Sequence, residues 1–310
     1  MKVHYGPFGK NGRMFPPKYY TDRFWLQTVP PIPVVGNTTY VGTVHFGSHL
    51  IETQAGLVLV DTPFLNNYGQ LIDSIYRAGY KPDDINYVVM THFHNDHMAC
   101  ANPLRYMYKA KLVFGEIELE TMHRLMRETP KDSPLYIEFF EPDILVKDGQ
   151  ELDFGDVGMR CVHTPGHTLG CMSLFWNTKE DGQEYQIGLY CSGGVELIND
   201  QMLKMWKMPV SNRISFRTSI DKVYNEHVDV TVGNHPFHND TIQKYWRRQA
   251  GEPGNPFIDP TEWQRNLDSM IEAYDAFMSM NDEQREEAFR INPWMEYIGY
   301  DFGWTDPPEE

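Results

Sequence analysis

The stretch Val88-Val89-Met90-Thr91-His92-Phe93-His94-Asn95-Asp96-His97 decides how this chain is read. An apolar run empties directly into three histidines and an aspartate. Imidazoles at i and i+2, a carboxylate at i+4 and a third imidazole at i+5 cannot share one face of a strand or of a helix. On a tight loop at a strand end they converge from two sides. That geometry serves two neighbouring cations, with His92 and His94 on one and Asp96 and His97 on the other. Unrelated surface histidines are not expected immediately behind a buried strand.

Each cation then lacks ligands, and the rest of the chain supplies them at strand ends. Before the histidine run, residues 38–44, 49–53 and 57–60 read as strands, with a hairpin turn at Gln54-Ala55-Gly56. Leu71, Ile72, Ile75 and Tyr76 within residues 67–79 have helical spacing, and residues 85–90 form a further buried strand. The second half repeats the rhythm. A strand at 112–114 and a helix at 116–129 precede a strand at 161–163 that ends in Thr164-Pro165-Gly166-His167. Strands at 172–176 and 185–191 follow, and residues 228–232 run into Gly233-Asn234-His235. The pattern suggests two β-rich halves, each backed by helices. His167 and His235 fall where the pattern needs them. His92, His94 and His167 would hold one ion with a fourth position open to water, and Asp96, His97 and His235 would hold the second. An all-nitrogen-and-oxygen donor set suits zinc, so two Zn2+ per chain are expected.

Composition sets the outer limits. The 310 residues are 41% hydrophobic, enough to bury a full core, and 27 Lys and Arg against 43 Asp and Glu leave a net charge of −16. No basic run offers a footprint for nucleic acid, and no apolar stretch is long enough for a membrane span. The start of the chain has Lys2, Lys10 and Arg13 without an apolar segment behind them, so no signal peptide is read there and a cytoplasmic location is expected. Cys100, Cys161, Cys171 and Cys191 are too few for a disulfide framework and are expected as buried, reduced thiols. There is no G-x-G-x-x-G, Walker or G-x-S-x-G sequence, so neither a nucleotide nor a serine nucleophile is expected. Residues 250–260 are dense in Pro and Gly and mark a linker; beyond it Trp263, Leu267, Met270, Ile271, Tyr274 and Phe277 repeat at helical spacing, with Thr261 as the expected N-cap. The aromatic tail at 294–304 is expected to pack on its own chain or on a second subunit, making a homo-oligomer through this extension an expectation.

The His-x-His-x-Asp-His run, the Thr-Pro-Gly-His and the late Gly-Asn-His resemble the metallo-β-lactamase superfamily over roughly residues 30–245. Their order fits, with 70 residues from His97 to His167 and 68 from His167 to His235. The resemblance implies an α/β fold, the four-layer αββα sandwich, for residues 1–250 including an irregular N-terminal arm, with 251–310 as a helical, aromatic-rich C-terminal extension. It implies that Asp61, closing Leu57-Val58-Leu59-Val60, orients the ligand loop. Many members carry a metal-bridging Asp at a later strand end; here Gly188-Leu189-Tyr190-Cys191 is followed by Ser192-Gly193-Gly194, with no carboxylate. True β-lactamases also lack it, and their third subclass uses this ligand set with a Ser near that strand end. The site is therefore most similar to that subclass, with Ser192 as a hydroxyl near the water and His238 as an outer pocket residue. Cys191 is read as a core thiol and His163 as structural; His45 and His49 have no spacing partner. The activity implied is hydrolysis of an amide, lactam, ester or lactone in a small-molecule substrate by metal-activated hydroxide, with Asp96 holding the water. Flavin-linked di-iron relatives carry Glu in place of the second His, so His94 argues for zinc. The alternatives are an intracellular lactone, ester or amide hydrolase without β-lactamase activity, or a non-catalytic metal-binding member.

Overall fold

The computed structural model describes residues 24–131, 136–138, 140–191 and 194–285. Two sheets dominate it. The first takes its strands in chain order: β1 (Ile32–Val35), β2 (Thr38–Tyr40), β3 (His49–Thr53), β4 (Gly56–Val60), β5 (Ile85–Val89), β6 (Lys111–Gly115) and β7 (Ile144–Val146). Hairpins join β1 to β4 antiparallel, whereas β4 to β7 pair in parallel. Parallel neighbours need crossovers. These contain the helices α1 (Tyr68–Arg77), α2 (Asn95–Met98) and α3 (Ala101–Tyr108), and then α4 (Glu116–Glu128). The second sheet is ordered β12-β11-β10-β9-β8, with β8 (Glu151–Asp153), β9 (Gly158–His163), β10 (Met172–Glu180), β11 (Gln183–Leu189) and β12 (Val230–Val232). After β11 come α5 (Asp200–Met205) and α6 (Asn212–Val223); after β12 come α7 (Thr241–Gln249) and α8 (Glu262–Ser279).

Alternation along each strand explains the layering. In β4, Leu57 and Leu59 face the helices of the first half, while Val58 and Val60 face the other sheet. Leu112 and Phe114 of β6 follow the first set and Val113 the second. In β10, Met172, Leu174 and Trp176 point between the sheets, while Phe175 points outward. Both faces of these strands are covered, one by helices and the other by the opposite sheet. The Trp176 indole donates across the sandwich to Thr38 Oγ1 at 3.2 Å, satisfying the one polar atom of a fully buried ring. The layers are therefore helix, sheet, sheet, helix.

The outer layer of the second half is built from α6 together with α8. Trp263 is buried with its ring 5.3 Å from that of Phe175, and its indole donates to Val223 O at 3.0 Å. Lys244 of α7 and Glu262 form a buried ion pair that fixes the start of α8. Thr261 does not cap this helix as expected: its hydroxyl and N–H are both taken by Asp259 Oδ1, at 2.7 and 3.0 Å. The aromatic tail at 294–304 and most of the N-terminal arm lie outside the described residues. No helix among the described residues is long and apolar enough to cross a membrane.

Candidate metal centre

Four loops converge at one edge of the sandwich, and each leaves the C-terminal end of a strand. Asp61 follows β4, the 91–97 loop follows β5, the His167 loop follows β9, and His235 follows β12. The first sheet thus contributes one pair of loops and the second sheet the other. Gly166, next to His167, holds φ at +150°, and a β-carbon there would lie 2.7 Å from Phe216 Cα. Only glycine lets the chain pass α6 and still deliver the imidazole.

The structure brings together His92, His94 and His167 as one group and Asp96, His97 and His235 as another, the donor atoms of each lying within 4.8 Å of one another. His167 Nε2 stands 3.0 Å from His92 Nε2 and 2.9 Å from His94 Nδ1. A tetrahedral zinc bound at about 2.0–2.1 Å would place its nitrogen ligands roughly 3.3 Å apart, so the separations fit with little movement. In the second group, Asp96 Oδ2 is 3.3 Å from His97 Nε2 and 3.7 Å from His235 Nε2.

Outward-facing atoms explain why these nitrogens point inward. His97 Nδ1–H donates to Asp61 Oδ2 at 3.1 Å and His235 Nδ1–H donates to His45 O at 2.7 Å, so Nε2 of each faces Asp96 in the cluster. His92 Nδ1 lies 3.0 Å from Thr91 Oγ1, whose hydroxyl donates to Asp61 Oδ2 at 2.8 Å. Asp61 also accepts from Thr91 N at 2.8 Å and from Asn234 Nδ2 at 2.7 Å. Its backbone adopts φ +56°, the left-handed conformation that Asp tolerates better than most side chains, and this aims the carboxylate under the 91–97 loop.

Charge follows geometry. Burial drives the imidazoles of His92 and His167 well below their ordinary range and those of His94 and His235 to about 4. Neutral imidazole is the form that binds a cation. His97 is the exception: burial opposes its charge, but Asp96 and Asp61 on either side raise it to about 10. Asp96 is the counterpart: burial resists ionisation, yet His97 and His235 hold its carboxyl well below the usual carboxylate range.

Other expectations divide. Cys191 is buried, its Sγ lies 3.5 Å from His92 Nδ1 on the side away from the ligand cluster, and burial pushes the thiol well up. His163 ends β9 with Nε2 2.8 Å from Leu169 O. His238 is half-buried beside His235, ring centroids 5.1 Å apart, and lines a cavity of about 210 Å3 with Val195, Phe216, Asn266 and Met270. Ser192 lies outside the described residues. Sequence reasoning passed over Thr91, Asn234, the His45 carbonyl and Glu118. Glu118 is wholly buried and accepts from Phe93 N at 2.9 Å and Gly170 N at 2.8 Å; burial pushes its carboxyl up to about 7 against the pull of those two N–H groups. Asn234 stands inside the quoted Gly-Asn-His, the one available signal.

Comparison with known proteins agrees with the fold. Residues 48–180 match the family model described as the metallo-beta-lactamase superfamily. A subclass B3 metallo-beta-lactamase of Bradyrhizobium japonicum superposes with a TM-score of 0.74 at 27% identity, covering 85% of this chain and 97% of that one. The FEZ-1 metallo-beta-lactamase from Legionella gormanii gives a TM-score of 0.71 at 24% identity, covering 84% and 98%. Among curated sequences, an N-acyl homoserine lactonase of Bacillus thuringiensis is 25% identical over 162 residues, 43% of this chain and 59% of its own length. The match thus spans less than two thirds of that relative.

Proposed function

We propose that this chain, whose residues 48–180 match the metallo-beta-lactamase superfamily model, is a two-zinc hydrolase opening a strained cyclic amide or ester. The observation that carries the reading is the pair of three-ligand groups, His92/His94/His167 and Asp96/His97/His235, side by side with inward-facing nitrogens. Two zinc ions held there would supply Lewis acidity toward a carbonyl oxygen and bring the pKa of water near neutrality. The protein's own part is positional. Asp61, Thr91 and the His45 carbonyl fix the tautomers of His97, His92 and His235. Asp96, held ionised between His97 and His235, faces the gap and accepts a hydrogen bond from the attacking water. Water adds to the carbonyl carbon, the C–N or C–O bond opens, and the proton lost by water ends on the departing nitrogen or oxygen, while Asp96 orients the water.

β-Lactams are the first substrate class, because the B3 enzyme of Bradyrhizobium japonicum matches over nearly its whole length. Lactones are the second, favoured by the sequence match to N-acyl homoserine lactonases. Metal analysis of the purified protein, followed by a panel of chromogenic lactams, lactones and thioesters, tests the proposal. Two zinc per chain and hydrolysis lost on chelation are expected, with turnover falling by orders of magnitude in His94→Ala. Iron with visible absorbance, or full activity in His94→Ala, would overturn it.

A further inference from the structure

Glu118 is a buried carboxylate that the proposed chemistry does not use. It stands in the first turn of α4, but its oxygens leave the helix. Oε1 accepts from Phe93 N at 2.9 Å and Oε2 from Gly170 N at 2.8 Å. Phe93 lies between His92 and His94, and Gly170 follows His167 by three residues. The two loops that carry the three-histidine group come from different sheets, and this carboxylate is bonded to both. The contact is close: a β-carbon on Gly170 would lie 2.2 Å from Glu118 N, so only glycine lets the His167 loop reach the helix. The Asp96/His97/His235 group is held by other means, through Asp61 and the His45 carbonyl.

From this geometry we infer that Glu118 is the positioning residue of the three-histidine site, fixing His92 and His94 against His167 by clamping a backbone N–H of each loop. The inference rests on the two-zinc reading above and assigns the clamp to one of its two sites. Outer partners of metal ligands typically govern about 10- to 100-fold in metal affinity. A carboxamide of the same shape has one oxygen and one NH2, so it can serve only one of the two N–H groups and turns a donor toward the other.

The test compares zinc dissociation constants, by chelator competition, in two backgrounds: His235→Ala, which keeps the three-histidine site, and His94→Ala, which keeps the other. Glu118→Gln is expected to weaken zinc about 10- to 100-fold in the first background and by less than about 3-fold in the second. Thermal unfolding of the metal-free variants runs alongside. If Glu118→Gln does not fold, Glu118→Asp, which keeps the charge but falls one methylene short, is measured in the same way with the same expectation. Equal weakening in both backgrounds would make Glu118 a general packing residue, and unchanged affinity in the first would remove the clamp; either overturns the inference. Failure of the unmutated protein to hold two zinc ions would instead overturn the two-zinc reading, so the two failures are distinct.

Discussion

Asp61→Asn isolates the carboxylate without disturbing the backbone, because Asn also tolerates the left-handed conformation that Asp61 adopts at φ +56°. Asp61 Oδ1 accepts from Thr91 N, while Oδ2 receives Thr91 Oγ1, Asn234 Nδ2 and His97 Nδ1. An Asn that keeps the Thr91 N–H bond must turn its NH2 toward three donors. The Thr91 hydroxyl can rotate away, and the Asn234 amide retains Thr91 Oγ1 at 3.0 Å. His97 has one remedy: move its proton to Nε2 and accept at Nδ1. That tautomer presents N–H where a cation should bind. The bond lost is charge-assisted, worth about 1.5–3 kcal/mol. It should appear as a 10- to 100-fold weaker second zinc, about 1.4–2.7 kcal/mol, with the three-histidine site changed far less. Chelator competition reads both constants, and nitrogen-15 spectra of the imidazoles report the tautomer. Wild-type affinity at both sites with His97 still protonated at Nδ1 would refute the argument. Asp61→Ala is less informative, since it orphans the Thr91 and His97 N–H groups at about 1–3 kcal/mol each and endangers the fold.

Two further expectations concern stability. His49 is buried and its imidazole is driven to about 4 from an ordinary 6.5, so its folded pKa is depressed. Its contribution is fully present above pH 6.5 and is lost as pH falls toward 4, up to about 3 kcal/mol; metal-free protein should lose thermal stability across that window, and a flat profile would remove the argument. Lys244→Ala leaves Glu262 buried without its partner and should cost about 3–5 kcal/mol by chemical denaturation, whereas Lys244→Met with Glu262→Leu should recover most of it.

The metal ligands were legible because they are concentrated in sequence. Four of the six sit within His92 to His97, and His167 and His235 each follow a short apolar strand. The strands were legible as apolar runs, but their faces were not. Val58 and Leu59 are equally apolar, so nothing in the sequence says that one looks toward the second sheet and the other toward α1. Contacts across long sequence separations were also invisible. Asn234 bonds Asp61 over 173 residues, and Glu118 reads as an ordinary acidic residue at a helix start until Gly170 is folded against it. The His45 carbonyl carries no side-chain signal at all. Residues 262–279 read as an addition beyond the family core, yet Trp263 packs on Phe175 as part of the outer layer of the second sheet.

The strand order has a consequence for how the molecule is made. Among the described residues, 32–146 complete one sheet and 151–232 the other, with no strand exchanged between them. Emerging from the ribosome, the amino-terminal sheet can close all its ladders before any of its mate has been translated. The coordination cage spans the seam and does not exist until residue 235 has been added and the two halves have docked. Metal capture would therefore report the docking of the two halves, and a pulse-labelled nascent chain should acquire chelator-sensitive protease resistance only after that point.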